Sequence, residues 1–224
     1  MNNLKDLIFS QFKTFALLSV SIIFSIVLLM IRMKLTHSFF YLFLVWNLFL
    51  AVIPFTITTY LVSLPKLNRF GLLFWFGVWL LFLPNAPYII TDLLHLRISR
   101  THLLWLDILV ISSFAFSGLM LFYLSVLDMK TILKTRIKDN YLKPLVLFIL
   151  FLCGFGVYLG RFLRYNSWEI VQNPLTLFYD ISHIVIYPNQ HAEAWLFTLL
   201  FGAFLTVGYY GFIIITSNKA NHEN

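Results

Sequence analysis

Charge is scarce in this chain: 11% of its 224 residues are Asp, Glu, Lys or Arg, while 60% are hydrophobic and 25 are Phe. A water-soluble core of this length has no room for that much apolar surface, so a soluble globular protein is excluded. Cysteine is nearly missing as well. Cys153 is the single one, so an intramolecular disulfide, an oxidised scaffold and a CxxC metal knuckle are excluded, and thiol chemistry is disfavoured. No phosphate loop, GxSxG elbow or HExxH occurs. The formal charge of +7 comes from 16 Lys+Arg against 9 Asp+Glu. Basic loops that orient a membrane protein account for it, and it carries no nucleic-acid reading of its own.

What is present is a series of long apolar runs. A helix needs about 20 mainly apolar residues to cross roughly 30 Å of hydrocarbon. Six stretches meet or approach that length: residues 14–31, 39–62, 70–90, 108–127, 144–160 and 195–216. The expectation is an all-α, single integral membrane domain over residues 1–224. The first span follows Lys5 and Lys13 as a signal peptide would, yet lacks a small-x-small cleavage site, so it reads as a retained anchor. None of the six stretches contains Asp, Glu, Lys, Arg or His. Proton-coupled pumps place such groups near the bilayer midplane, so proton-driven transport is disfavoured.

Orientation follows from the basic residues of alternate loops. With a cytoplasmic N-terminus the inner segments hold ten (Lys5, Lys13, Lys66, Arg69, Lys130, Lys134, Arg136, Lys138, Lys143, Lys219) and the outer segments six (Arg32, Lys34, Arg97, Arg100, Arg161, Arg164). Both termini are then cytoplasmic, and the inner loop 128–143 faces anionic lipid. The same topology puts His37, His95, His102, His183 and His191 outside, with Asp92, Asp107, Glu169, Asp180 and Glu193. A polar site is therefore expected on the outer face.

Two outer motifs stand out. In the third span Pro84 and Pro87 each remove a backbone donor and predict a break. Asn85 is placed to cap a second short helix reaching about Leu96, on which Tyr88, Asp92 and His95 share one face. A phenol, a carboxylate and an imidazole so arranged suit a polar head group, or acid–base chemistry with His95 as acid or base and Asp92 as its orienting carboxylate. An interfacial rim that prefers water is the plainer alternative. Asp92 and His95 have metal-ligand spacing but no third ligand nearby, so no metal or cofactor is expected. The fifth span ends in Gly156-Val-Tyr-Leu-Gly-Arg-Phe-Leu-Arg-Tyr-Asn-Ser-Trp-Glu169, where Gly156 and Gly160 admit a second helix, within the protein or from a partner. Arg161 and Arg164 lie one turn apart, as snorkelling anchors or as a fork for a phosphate; Asn166 and Trp168 add hydrogen-bonding capacity beside them.

An amphipathic interfacial helix is predicted around residues 174–187, capped by Asn173, with Leu177, Ile181, Ile184 and Val185 on one side and Thr176, Tyr179, Asp180 and His183 on the other. Asn173, Asp180 and His183 repeat the spacing of Asn85, Asp92 and His95, which reads as coincidence because the surroundings differ. Asn47 and Pro54 in the second span read as an interhelical hydrogen bond and a kink.

The stretches Trp79-Leu-Leu-Phe-Leu-Pro-Asn-Ala-Pro-Tyr-Ile-Ile-Thr-Asp-Leu-Leu-His-Leu96 and Gly156 to Trp168 resemble a bacterial multi-pass membrane family, domain of unknown function 1361. The resemblance covers roughly residues 40 to 215 and implies a bacterial cytoplasmic membrane protein of about this size; it supplies no activity. Asn85, Pro87, Tyr88, Asp92, His95, Arg161, Arg164, Asn166 and Trp168 fall on its motifs. From their chemistry, the leading expectation is an outer pocket for an anionic lipid or lipid-linked head group, with transfer or hydrolysis as its possible reaction. Asn85, Tyr88, Arg161, Arg164, Asn166 and Trp168 would bind, and Asp92 and His95 would act. A transporter built on the broken third span, and a non-catalytic subunit docking a membrane partner, are the competing readings.

Overall fold

A computed structural model describes residues 12–64, 68–98 and 103–222, and all regular structure among them is helical. Lys5, Lys66, Arg100 and His102, which contributed to the expected topology, lie outside the described residues. Among the described residues six helical segments are long and apolar enough to cross a membrane: Phe12–Thr36, Phe40–Ser63, Arg69–Arg97, Leu104–Lys134, Asp139–Arg161 and Ala192–Thr216. Large apolar side chains such as Phe70, Leu73 and Phe74, or Leu199, Leu200 and Val207, stand exposed on them. Such faces need lipid rather than water, and the fold is that of an all-α membrane protein.

The chain divides into two compact units, Met1–Thr135 and Arg136–Asn224. The first contains α1 (Phe12–Thr36), a 3-10 turn (Phe40–Leu42), α2 (Phe43–Ser63), α3 (Arg69–Phe82), α4 (Asn85–Tyr88), a 3-10 helix (Ile89–Ile98) and α5 (Leu104–Lys134). Helix α5 is its hub, packing against α1, α2, α4 and the 3-10 helix. Because lipid tails are as apolar as leucine, helix association inside a membrane rests on close packing and polar ties rather than on hydrophobic burial. Both are visible. Ser21 Oγ lies 2.7 Å from Ser117 Oγ, joining α1 to α5, and Gly118 lets the Ala86 carbonyl of α4 press on α5, at 2.5 Å from where a Cβ would stand.

The break expected at Pro84 is real, and the protein itself surrounds it: Leu83, Ala86 and Ile89 are fully buried. Asn85 does not act as the cap expected of it. Its Nδ2 donates to the Phe82 carbonyl at 2.8 Å, replacing the backbone donor that carbonyl loses because the Ala86 N–H turns to Leu83 instead. Beyond Tyr88 the chain winds as a ten-residue 3-10 helix rather than the α-helix expected. At three residues per turn, positions three apart eclipse. Ile89, Asp92 and His95 therefore form one ridge, and Tyr88 does not share it.

The expectation of spans without charge is corrected by helix length. Helix α1 continues to Thr36 and α5 runs from Leu104 to Lys134, so Arg32, Asp107 and Asp128 all lie on spanning helices. The predicted inner loop 128–143 shrinks to the turn at residues 135–138.

The second unit contains α6 (Asp139–Arg161), α7 (Glu169–Gln172), α8 (Pro174–Ile186) and α9 (Ala192–His222). Helices α6 and α9 cross tightly at Gly154, where a Cβ would stand 2.9 Å from the Thr198 carbonyl and 3.1 Å from the Gly202 nitrogen. Gly156 and Gly160 are half-buried on the same helix. Tyr158, Ile184 and Ala194 form a small core joining α6, α8 and α9, and Trp195 Nε1 donates to the Ile184 carbonyl at 3.2 Å.

Candidate functional site

In the first unit a polar layer gathers where α1 ends and α2 and α5 begin. Arg32 Nε meets Asp107 Oδ1 at 2.9 Å with both side chains buried. The same guanidinium donates to the Ser38 carbonyl at 3.0 Å and lies 4.5 Å from the centre of the Tyr41 ring. His37, at φ 50°, turns the chain out of α1. Nearby on the 3-10 helix, Asp92 is 1% exposed and its Oδ2 accepts from Asn47 Nδ2 of α2 at 2.8 Å. The interhelical hydrogen bond expected of Asn47 is thus present, with Asp92 as its acceptor.

His95 Nδ1 lies 3.2 Å from the Asp92 carbonyl and 3.7 Å from Asp92 Oδ1. The nearer oxygen can only accept, so Nδ1 carries a hydrogen, and in the neutral ring the lone pair falls on Nε2. The ring is held between Phe43 and Phe40, at 4.9 and 6.2 Å between centroids. The structure therefore brings Asp92 and His95 together. Asn85 is engaged at the helix break and Tyr88 is half-buried.

In the second unit α6 ends at Arg161, with Phe162 as its last cap. Arg164 comes after the helix, in left-handed backbone at φ 62°. Arg161 and Arg164 are therefore not one turn apart on a helix, as the sequence suggested. The Tyr165 N–H reaches back to the Leu159 carbonyl at 3.1 Å, and this fold-back aims Tyr165 at α8, where its hydroxyl donates to Asp180 Oδ2 at 2.7 Å. That bond is the first cause of a phenol pushed up to about 12, since ionisation would set phenolate against carboxylate. Asn166 is exposed and Trp168 half-buried.

Helix α8 forms as expected with Pro174 in its first turn, although Asn173 turns its side chain to Glu169 Oε2 at 3.0 Å instead of capping. It buries Leu177 and Ile184, while Val185, expected on the same side, is exposed with Leu175, Phe178 and Ile186. Its polar side lines a cavity of about 210 Å³ with Tyr158, Leu163, Tyr179, Asp180, His183, Ile184 and His191. Inside it His183 Nδ1 lies 2.7 Å from His191 Nε2. One hydrogen sits between them. With both rings neutral, whichever carries it, one of the two outward nitrogens is an N–H donor and the other a lone pair.

Residues 46–207 match the family described as Protein of unknown function (DUF1361). The chain belongs to that family. The DUF1361 stretch contains both outer motifs, the Asp92–His95 clasp and the cavity under α8. No curated protein and no solved structure matches the chain. Sequence reasoning on this DUF1361 member named His95, Asp92 and the two arginines, and missed Tyr165 and His191 as members of a site. Neither had a periodic signal: each reaches the site from a turn, across a helix end. Among the described residues no group of three or more His, Cys, Asp or Glu is placed to hold a metal ion.

Proposed function

We propose that this membrane protein binds the anionic head group of a lipid or lipid-linked molecule in the cavity under α8. The observation that carries the reading is the construction of that helix. One side presents Asp180 and His183 to a cavity otherwise walled by apolar and aromatic side chains, and the other exposes Leu175, Phe178, Val185 and Ile186. A helix of that kind rests at the boundary between hydrocarbon and water, which is where head groups lie. The histidine pair offers a donor to a phosphate oxygen and, on taking up a proton, a second one. Asp180 is quieted toward an anion by the Tyr165 hydroxyl. Arg164, one residue beyond the cavity-lining Leu163, adds positive charge at the end of α6.

The test is to purify the full chain from its membrane, identify bound lipid by mass spectrometry, and titrate phosphatidylglycerol against phosphatidylcholine in nanodiscs by thermal shift. The wild type is expected to carry anionic lipid and to prefer it. Exchanging both His183 and His191 for Ala should weaken that preference about 10- to 100-fold, the worth of one hydrogen bond to a charged group. His95→Ala, in the other unit, should leave it unchanged. Equal lipid content and preference in the wild type and the double variant would reject the proposal.

A further inference from the structure

An anion that enters the cavity under α8 meets the Asp180 carboxylate, and among the described residues no Lys or Arg lines that cavity. The remaining walls are Tyr158, Leu163, Tyr179 and Ile184, which bring no positive charge. Two negative charges in such surroundings repel unless a positive one joins them. Of the groups in the lining, the histidine pair is the one that can gain it.

Hydrogen count limits that gain to one proton. With both rings neutral, the pair owns two ring hydrogens for four nitrogens. One lies between His183 Nδ1 and His191 Nε2, which are 2.7 Å apart, and the other sits on His183 Nε2 or His191 Nδ1. A single lone pair is left. One added proton fills it, so both outward nitrogens become donors and the pair carries one positive charge. A second proton would set N–H against N–H across the same 2.7 Å and break the contact. The two rings therefore titrate as one unit.

The neighbours leave that proton to the pair. Tyr179 of α8 stacks on His183 and Tyr187 packs on it from the following turn, with ring centroids at 6.1 and 4.8 Å. Tyr158 faces the cavity from α6, Tyr165 holds Asp180, and the charge of Glu193 on α9 acts on Tyr158. Arg164 stands one residue beyond Leu163 of the wall. Phenols, carboxylates and guanidinium ordinarily keep one charge state between pH 5 and 8, whereas histidine changes its own there. A phosphate bound against the rings adds negative charge and favours their protonated form.

We propose that the head group binds together with one proton, which the His183–His191 pair takes up as a unit. The inference rests on the head-group reading of this cavity and adds its dependence on pH. One proton linked to one anion makes affinity fall as pH rises, by about tenfold per pH unit at the steepest. A phosphodiester is the fitting probe, because it keeps a single charge across this range, whereas a phosphomonoester itself titrates near pH 6.

Full-length protein in detergent is titrated by calorimetry with short-chain phosphatidylglycerol, and with short-chain phosphatidylcholine as control, between pH 5 and 8. Each titration is run in two phosphate-free buffers of low and high ionisation enthalpy, whose difference in heat counts the protons taken up. The wild type should bind phosphatidylglycerol more weakly as pH rises and should take up a proton on the alkaline side, never more than one per lipid. Exchanging both His183 and His191 for Gln, which keeps hydrogen-bonding side chains and removes the titration, should leave binding weak and equal across the range. The proton count needs only the wild type, so it decides the matter should the double variant not fold. A preference for phosphatidylglycerol that ignores pH, uptake of no proton or of nearly two, or a double variant that still follows pH would overturn the proposal and leave the head-group reading standing. Equal binding of the two lipids at every pH would reject that reading, and the proposal with it.

Discussion

Arg32 and Asp107 are fully desolvated together, and the consequence belongs to the pair rather than to either residue. Removing one partner leaves the other as an unanswered buried charge, so Asp107→Asn is expected to cost about 3–5 kcal/mol, measured by denaturation in detergent. Replacing both with apolar residues of similar volume should recover most of that loss, because the desolvation cost disappears with the charges. Tyr165 makes a second prediction, with a definite sign in pH. Its phenol is raised from 10.0 to about 12 by Asp180, so the folded state favours the neutral form. The stabilisation is fully present below pH 10 and is lost as pH rises from there through about 12. Tyr165→Phe should remove one late-titrating phenol from the ultraviolet titration and abolish its share of the alkaline loss of stability.

At the scale of the element, the break after α3 holds its shape because α5 lets it approach. Gly118→Ala would drive a methyl into the Ala86 carbonyl, a backbone atom that cannot swing aside. A loss of about 1–3 kcal/mol is expected, as for other overpacked interiors. Gly77 of α3 has nothing within 4 Å of the place a Cβ would take, so Gly77→Ala should be neutral or gain about 0.5–1 kcal/mol from helix propensity. Thermal unfolding of the two variants side by side separates close approach from helix propensity. The 3-10 helix is an element-scale matter too. Its three-residue turn places Asp92 under His95 and aims both at α2, where Asn47 and Phe43 meet them, and takes Tyr88 off their face.

For the whole molecule, the basic residues at the α5–α6 turn predict the orientation of α6. Reporter fusions after Lys138 are expected to read as cytoplasmic and fusions after Arg164 as lying across the membrane, because Lys130, Lys134, Arg136 and Lys138 cluster at one end of that helix. The opposite pattern would put the α8 cavity on the cytoplasmic face.

The fold class was legible in the chain because hydrophobic run length is a one-dimensional property, and the bilayer thickness sets its unit. Six runs gave six helices, Pro84 gave a break, and Pro174 with the apolar positions Leu177 and Ile184 gave α8. Helix ends were less legible, since apolar runs stop where charge begins while hydrogen bonding carries α1 to Thr36 and α5 to Lys134. Tertiary structure alone decided the partners. That Asp107 meets a residue 75 positions away, that His191 returns to His183 across a turn, and that Asp128 meets a hydroxyl where Asp107 meets a guanidinium are outcomes of helix packing. No local period encodes them, because each depends on which faces of separate helices come to lie together.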